Sequence, residues 1–104
     1  MDQPMIPALT GDALAEWDRL MADGGLLGMD ASVVAAHCLT FGRWTEAERV
    51  LADKGVLYKA PSGTVTISPM VAVSERAAKQ IREFHRERAK AKKRARPVIA
   101  GKTK

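Results

Sequence analysis

The chain has 104 residues, 46% of them hydrophobic, and its only aromatic side chains are Trp17, Phe41, Trp44, Tyr58 and Phe84, which limits it to one domain with a small core. Its formal net charge of +5 is unevenly spread: residues 86–104 hold nine Lys or Arg against the single acid Glu87, while residues 1–85 hold eight bases against eleven acids. A lone cysteine, Cys38, excludes an intrachain disulfide framework and a thiolate zinc site, and no run of about 20 apolar residues is present to span a membrane.

Residues 1–10 contain Pro4 and Pro7 without hydrophobic period, so they are expected to be a flexible arm, and no function is assigned to them. In residues 11–23, Leu14, Trp17, Leu20 and Met21 recur at helical spacing, with Thr10 as N-cap and Gly24-Gly25 as the stop. The apolar connection Leu26-Leu27-Gly28-Met29 pins this helix against the next, giving a helix-turn-helix pair. Asp30 supplies the cap and Gly55 the end of the longest helix, residues 31–53, a rod of about 34 Å. At about 100° per residue, Val33, Val34, Phe41, Trp44 and Leu51 share one face, with Cys38 at its edge, and this face is expected inside. Ala36, Leu39, Ala47 and Val50 make a second seam around Arg43, more apolar surface than a one-sided helix needs, and these five residues are the expected contact with another copy of the chain.

After Gly55 the pattern becomes extended, and residues 56–67 read as a β-hairpin turning at Pro61-Ser62-Gly63. Ser68 then caps a last helix with Pro69 at its first position. Met70, Val73, Ala77, Ile81 and Phe84 form its buried stripe, which is expected to stop there because Arg88 takes the next position in line. The helix is predicted to continue as a solvated basic extension to Ala95, until Arg96-Pro97 breaks it. The fold class is therefore mainly α: a helix-turn-helix pair, a hairpin and a long C-terminal helix with a basic extension. Residues 11–85 form the core and residues 86–104 a basic tail.

The tail has the clearest physical consequence. Arg86, Arg88, Lys90, Lys92, Lys93, Arg94 and Arg96 are the expected DNA-contacting residues, since cations that displace counterions hold a phosphate backbone without a unique geometry. No aromatic residue lies among them to stack on single-strand bases, which favours a duplex. A winged-helix regulator that reads DNA with the start of the 31–53 helix is an alternative, but Asp30-Ala31-Ser32-Val33-Val34 offers no Arg, Lys, Asn or Gln to the bases. A third reading is an adaptor whose tail meets an acidic protein surface. His37 and Glu48, about 16 Å apart along the long helix, are expected to be separately hydrogen-bonded groups, and His85 a surface or packing residue. No GxxxxGK[ST], GxSxG, HExxH or paired-cysteine pattern occurs, so no catalysis, cofactor or metal site is expected. The lone cysteine and an N-terminus without an apolar export signal fit a cytoplasmic protein.

Taken together, Trp17 in the first helix, Gly25-Leu26-Leu27 and Asp30 before the long helix, Trp44, Glu46 and Glu48 before Gly55-Val56-Leu57, then Gly63, Pro69 and Ser74-Glu75-Arg76-Ala77-Ala78, resemble the small terminase subunits of tailed bacteriophages. The resemblance covers about residues 12–85. It implies a homo-oligomeric ring, acting in the cytoplasm of the bacterial host, that recognises double-stranded viral DNA and assists the large terminase subunit, which owns the ATPase and nuclease.

Overall fold

The computed structural model describes residues 8–95. In chain order these form α1 (Gly11–Ala22), α2 (Ala31–Lys54), β1 (Leu57–Lys59), β2 (Val65–Ile67) and α3 (Pro69–Ala95), the mainly helical architecture that the sequence predicts. Local chemistry sets most of the boundaries. The Asp30 carboxylate accepts from the Ser32 amide at 2.9 Å, satisfying a free donor of the first turn of α2. Gly55, at φ 84°, closes the other end, its amide donating to the Leu51 carbonyl. Ser68 Oγ accepts from the Met70 amide at 3.2 Å, and Pro69 fills the first position of α3. Thr10 has the extended backbone of an N-cap but makes no side-chain cap bond.

Both α1 and α3 pack on α2. The second contact is antiparallel, since His37 near the start of α2 lies on Phe84 late in α3, and Glu48 near its end accepts from Ser74 early in α3. The core gathers Ala13 and Leu20 of α1, Val34 and Cys38 of α2, and Phe84 of α3, with Trp17, Met21, Leu26, Met29 and Leu39 partly buried around them. Val33, expected inside, is 51% exposed, whereas Ala35 and Ala47 are sealed. The reason is that α2 has neighbours on two sides, so its buried arc runs over small residues that let helices come close. At Gly42 an added Cβ would stand 3.4 Å from the Ala13 Cβ, which marks the close approach of α1.

The buried stripe of α3 also differs from expectation. It continues past Phe84 through Arg88 and Ala91, which are 4% and 1% exposed. Spacings of 3 and 4 persist from Ser74 through Ala77, Ile81, Phe84 and Arg88 to Ala91, and the far half of the helix lies against the end of α1. The seam expected to meet another copy is split. Ala47 is buried within the chain and Leu39 packs against its own core, while Ala36 and Arg43 are exposed and Val50 is half-buried. Ala47 is therefore withdrawn as an intersubunit contact.

The hairpin pairs Leu57 with Ile67, Tyr58 with Thr66 and Lys59 with Val65, and every residue of both strands is exposed. The described chain is flat and extended, 68 × 38 × 17 Å, with a radius of gyration of 18.3 Å. A compact domain of about 100 residues has a radius near 13 Å.

Candidate DNA interface on the last helix

On α3 the period of 3.6 sorts the basic residues by face. Lys79, Arg82, Arg86, Lys90 and Lys93, spaced 3, 4, 4 and 3, fall within one arc, and all five are exposed. They form a ridge about 21 Å long on a helix whose other side is buried against α2 and, through Arg88, reaches the end of α1. Arg94 is exposed beside it. Lys90 approaches Glu87 at 3.4 Å, an exposed pair of the kind that solvent and salt readily loosen. Among the described residues Lys79, Arg82, Arg86, Lys93 and Arg94 make no ion pair.

Two of the expected DNA-contacting residues are occupied elsewhere. Arg88 points inward: its Nη2 donates to the Leu20 carbonyl at 3.1 Å and the Asp23 carbonyl at 2.8 Å, capping the C-terminal end of α1, where the helix dipole favours a cation. It is removed from the DNA-contacting set. Lys92 donates to the Asp23 carboxylate at 2.9 Å, and the two side chains are about half exposed. Arg96 lies outside the described residues. Lys79 and Arg82, which the sequence reading passed over, stand in line with the ridge. The signal was the helical period itself, hidden by dividing the chain by composition at residue 86.

The start of α2 is unlike this surface. Asp30 is exposed and anionic, with its carboxyl held below the usual range by hydrogen bonds from Ser32.

Beneath the helices lies a polar cluster. Glu16 of α1 and His37 of α2 have side chains only 2% exposed each, and His37 Nε2 donates to Glu16 Oε2 at 2.7 Å. Arg19 adds a fork of 2.8 and 3.0 Å to the same carboxylate. Burial pushes the Glu16 carboxyl up, and the bonds from Arg19 and His37 more than offset this, so it stays ionised. Burial is the larger influence on His37 and holds it below its ordinary value, so the ring is neutral near pH 7 and lies flat on Phe84, centroids 3.8 Å apart and 5° between planes. His37 and Glu48 do bond separately, to Glu16 and Ser74. Glu16 escaped the sequence reading because it is charged, although it sits between Ala13 and Leu20 on the buried face of α1.

Fold and surface together define a small helical domain with one exposed basic face. Residues 13–89 match the family model described as phage terminase, small subunit, and the chain belongs to that family. Comparison with curated proteins and with solved structures found no match. Among the described residues no helix is long and apolar enough to cross a membrane.

Proposed function

We propose that this chain works in phage DNA packaging as a non-catalytic, oligomeric subunit that grips double-stranded viral DNA through the basic ridge of α3 and assists the large terminase subunit. The observation that carries the reading is the position of the ridge: five exposed cations on one face of a helix anchored on its other face, mostly within the stretch that matches the family. Lys and Arg on a straight helix suit phosphates along a duplex, and their spacing sets no base-reading geometry. With Arg94 added, about six contacts would lower affinity on the order of a thousandfold between 50 and 200 mM salt.

Self-association is supported by what a single chain leaves wet. Val56, Leu57, Val65 and Ile67 are 52%, 66%, 58% and 62% exposed, on a two-stranded hairpin of a size that is at best marginal alone in water. Beside the start of α3, a groove of about 650 Å³ is lined by Leu39, Gly42, Met70 and Val73, with Arg43 and Glu46 at hand. A second copy offering its hairpin to such a groove makes a head-to-tail contact, the kind that closes into rings. Leu39 and Arg43 line this groove, and Ala36 and Val50 remain proposed contacts beside them on α2. An anionic Asp30 at the start of α2 counts against docking as a winged-helix regulator.

The test is solution mass by light scattering, with and without a duplex, at low and high salt. A mass of many subunits with salt-sensitive DNA binding is expected. A dimer that prefers one operator sequence would favour a regulator, and a monomer indifferent to DNA would overturn the reading.

A further inference from the structure

The two histidines of the chain, one on α2 and one on α3, come together with a carboxylate from α1. Glu16, His37 and His85 each bring a ligand-type atom to within 4.8 Å of the others. The His37 and His85 rings have centroids 5.9 Å apart. Two of the three groups are buried and locked by helix packing, while His85 is exposed and free to adjust its rotamer. A cavity of about 480 Å³, lined by Ala15, Glu16, Arg19, Phe41 and His85, opens beside them.

Packing alone accounts for the stack of His37 on Phe84. It does not account for His37 Nδ1, a buried nitrogen with no hydrogen-bond partner. The bond to Glu16 holds the proton on Nε2 in the absence of an ion; for Nε2 to face a cation the proton moves to Nδ1, where no other donor competes for the site.

We propose that Glu16, His37 and His85 form a site for a divalent metal ion of the zinc class, with a fourth position open to the cavity. Two imidazoles and a carboxylate are the donor set of borderline cations, and three protein ligands with an open position are a known zinc arrangement. Metal–ligand distances of about 2.0–2.2 Å require the exposed His85 ring to swing inward and the Nε2 and Oε2 atoms that now share a proton to move apart. Arg19 donates Nε to Glu16 Oε1 and Nη2 to Oε2; the first bond orients the carboxylate, and the second gives way when Oε2 ligates. Its charge opposes the cation, but its side chain is 55% exposed and therefore well solvated. The ion would tie α1, α2 and α3 at one point, a staple suited to a domain with a small core, and would fix the helix that carries the basic ridge. This departs from the expectation that the chain has no metal site and does not depend on the packaging role.

The untagged full chain, stripped with EDTA, is melted with and without zinc chloride or magnesium chloride, and separately titrated with cobalt chloride in the visible range. Zinc is expected to raise the melting temperature by several degrees, saturating near one ion per chain, with magnesium without effect, and cobalt to give the absorption of a four- or five-coordinate ion. His85→Ala changes an exposed residue, so the fold should survive while both signals vanish; His85→Cys, which restores a ligand, should bring them back. A wild-type chain with neither signal, or signals unchanged in His85→Ala, would overturn the site.

Discussion

Arg88 donates to the main-chain carbonyl of Asp23 at 2.8 Å, joining the far half of α3 to the last turn of α1 across 65 residues of sequence. With its second bond, to Leu20, it occupies carbonyls that a helix end otherwise leaves to water. Hydrogen bonds from a charged donor contribute about 1.5–3 kcal/mol, offset in part by Nε and Nη1, which are buried without partners, so Arg88→Ala should lower stability by about 1–2 kcal/mol in urea unfolding. DNA affinity of the folded variant should be unchanged. Arg86→Ala should do the reverse, keeping the unfolding midpoint and weakening DNA binding. If Arg88→Ala instead loses DNA affinity at full stability, the inward placement of this side chain is wrong.

The same placement bears on where the chain can be shortened. A cut after Arg86 would remove Arg88 and Ala91, both part of the packed interior, and should destabilise the domain as well as weaken DNA binding. Single substitutions on the ridge separate the two effects. Lys79→Ala and Arg82→Ala should each weaken binding to any duplex sequence and reduce the slope of log affinity against log salt by about one. Titrations at several salt concentrations measure this directly. Slopes equal to wild type would confine the DNA contact to residues beyond Arg82.

Acid should loosen the contact between α1 and α2. Because burial keeps His37 below its ordinary value of 6.5, the unfolded chain takes up a proton as pH falls through 6.5 while the folded chain does not. Stability from this group is therefore present above pH 6.5 and declines as pH drops towards the folded value. Glu16, held below its ordinary 4.5, adds a second loss at lower pH. Denaturant midpoints measured from pH 7.5 to 5 should fall, and His37→Gln should flatten the slope. A wild-type midpoint that stays level over that range would refute the neutral buried ring.

Cys38 should be inert while the domain is folded. Its side chain is fully enclosed, and burial pushes its thiol up to about 11, so almost no thiolate exists near neutral pH. A colorimetric disulfide reagent should label one thiol per chain in denaturant and essentially none in buffer. Rapid labelling of the native protein would mean that the core around Val34 and Leu20 opens readily.

Signals that act over a few residues were legible in the sequence. Asp30, Gly55 and Ser68-Pro69 mark the ends of α2 and α3 because a cap or a left-handed residue is needed there whatever the tertiary structure. Burial on α2 was less legible. Whether Val33 or Ala35 turns inward depends on two neighbouring helices, and hydrophobicity favours the larger side chain, which is the exposed one. Arg88 and Glu16 were missed for the same cause: charge argues for the surface unless a partner is known, and their partners lie 65 and 21 residues away in sequence. The ridge was half visible, since composition revealed Arg86 onwards and only the helical period adds Lys79 and Arg82.

The proposed self-association requires a choice of probe. Leu39→Asp would place a charge in the seam, but Leu39 also packs against its own core, so a broken oligomer could follow from a weakened monomer. Ile67 is 62% exposed on β2, and Ile67→Asp removes apolar surface that only a partner would cover. Its helical circular dichroism should match wild type while its mass by light scattering falls to that of fewer subunits. Lys59→Glu, on the facing strand and also exposed, serves as a charge control without loss of a large apolar side chain and should disturb the mass less. A native mass for Ile67→Asp would exclude this strand as a contact and leave Ala36, Leu39 and Val50 as the remaining apolar candidates of the seam.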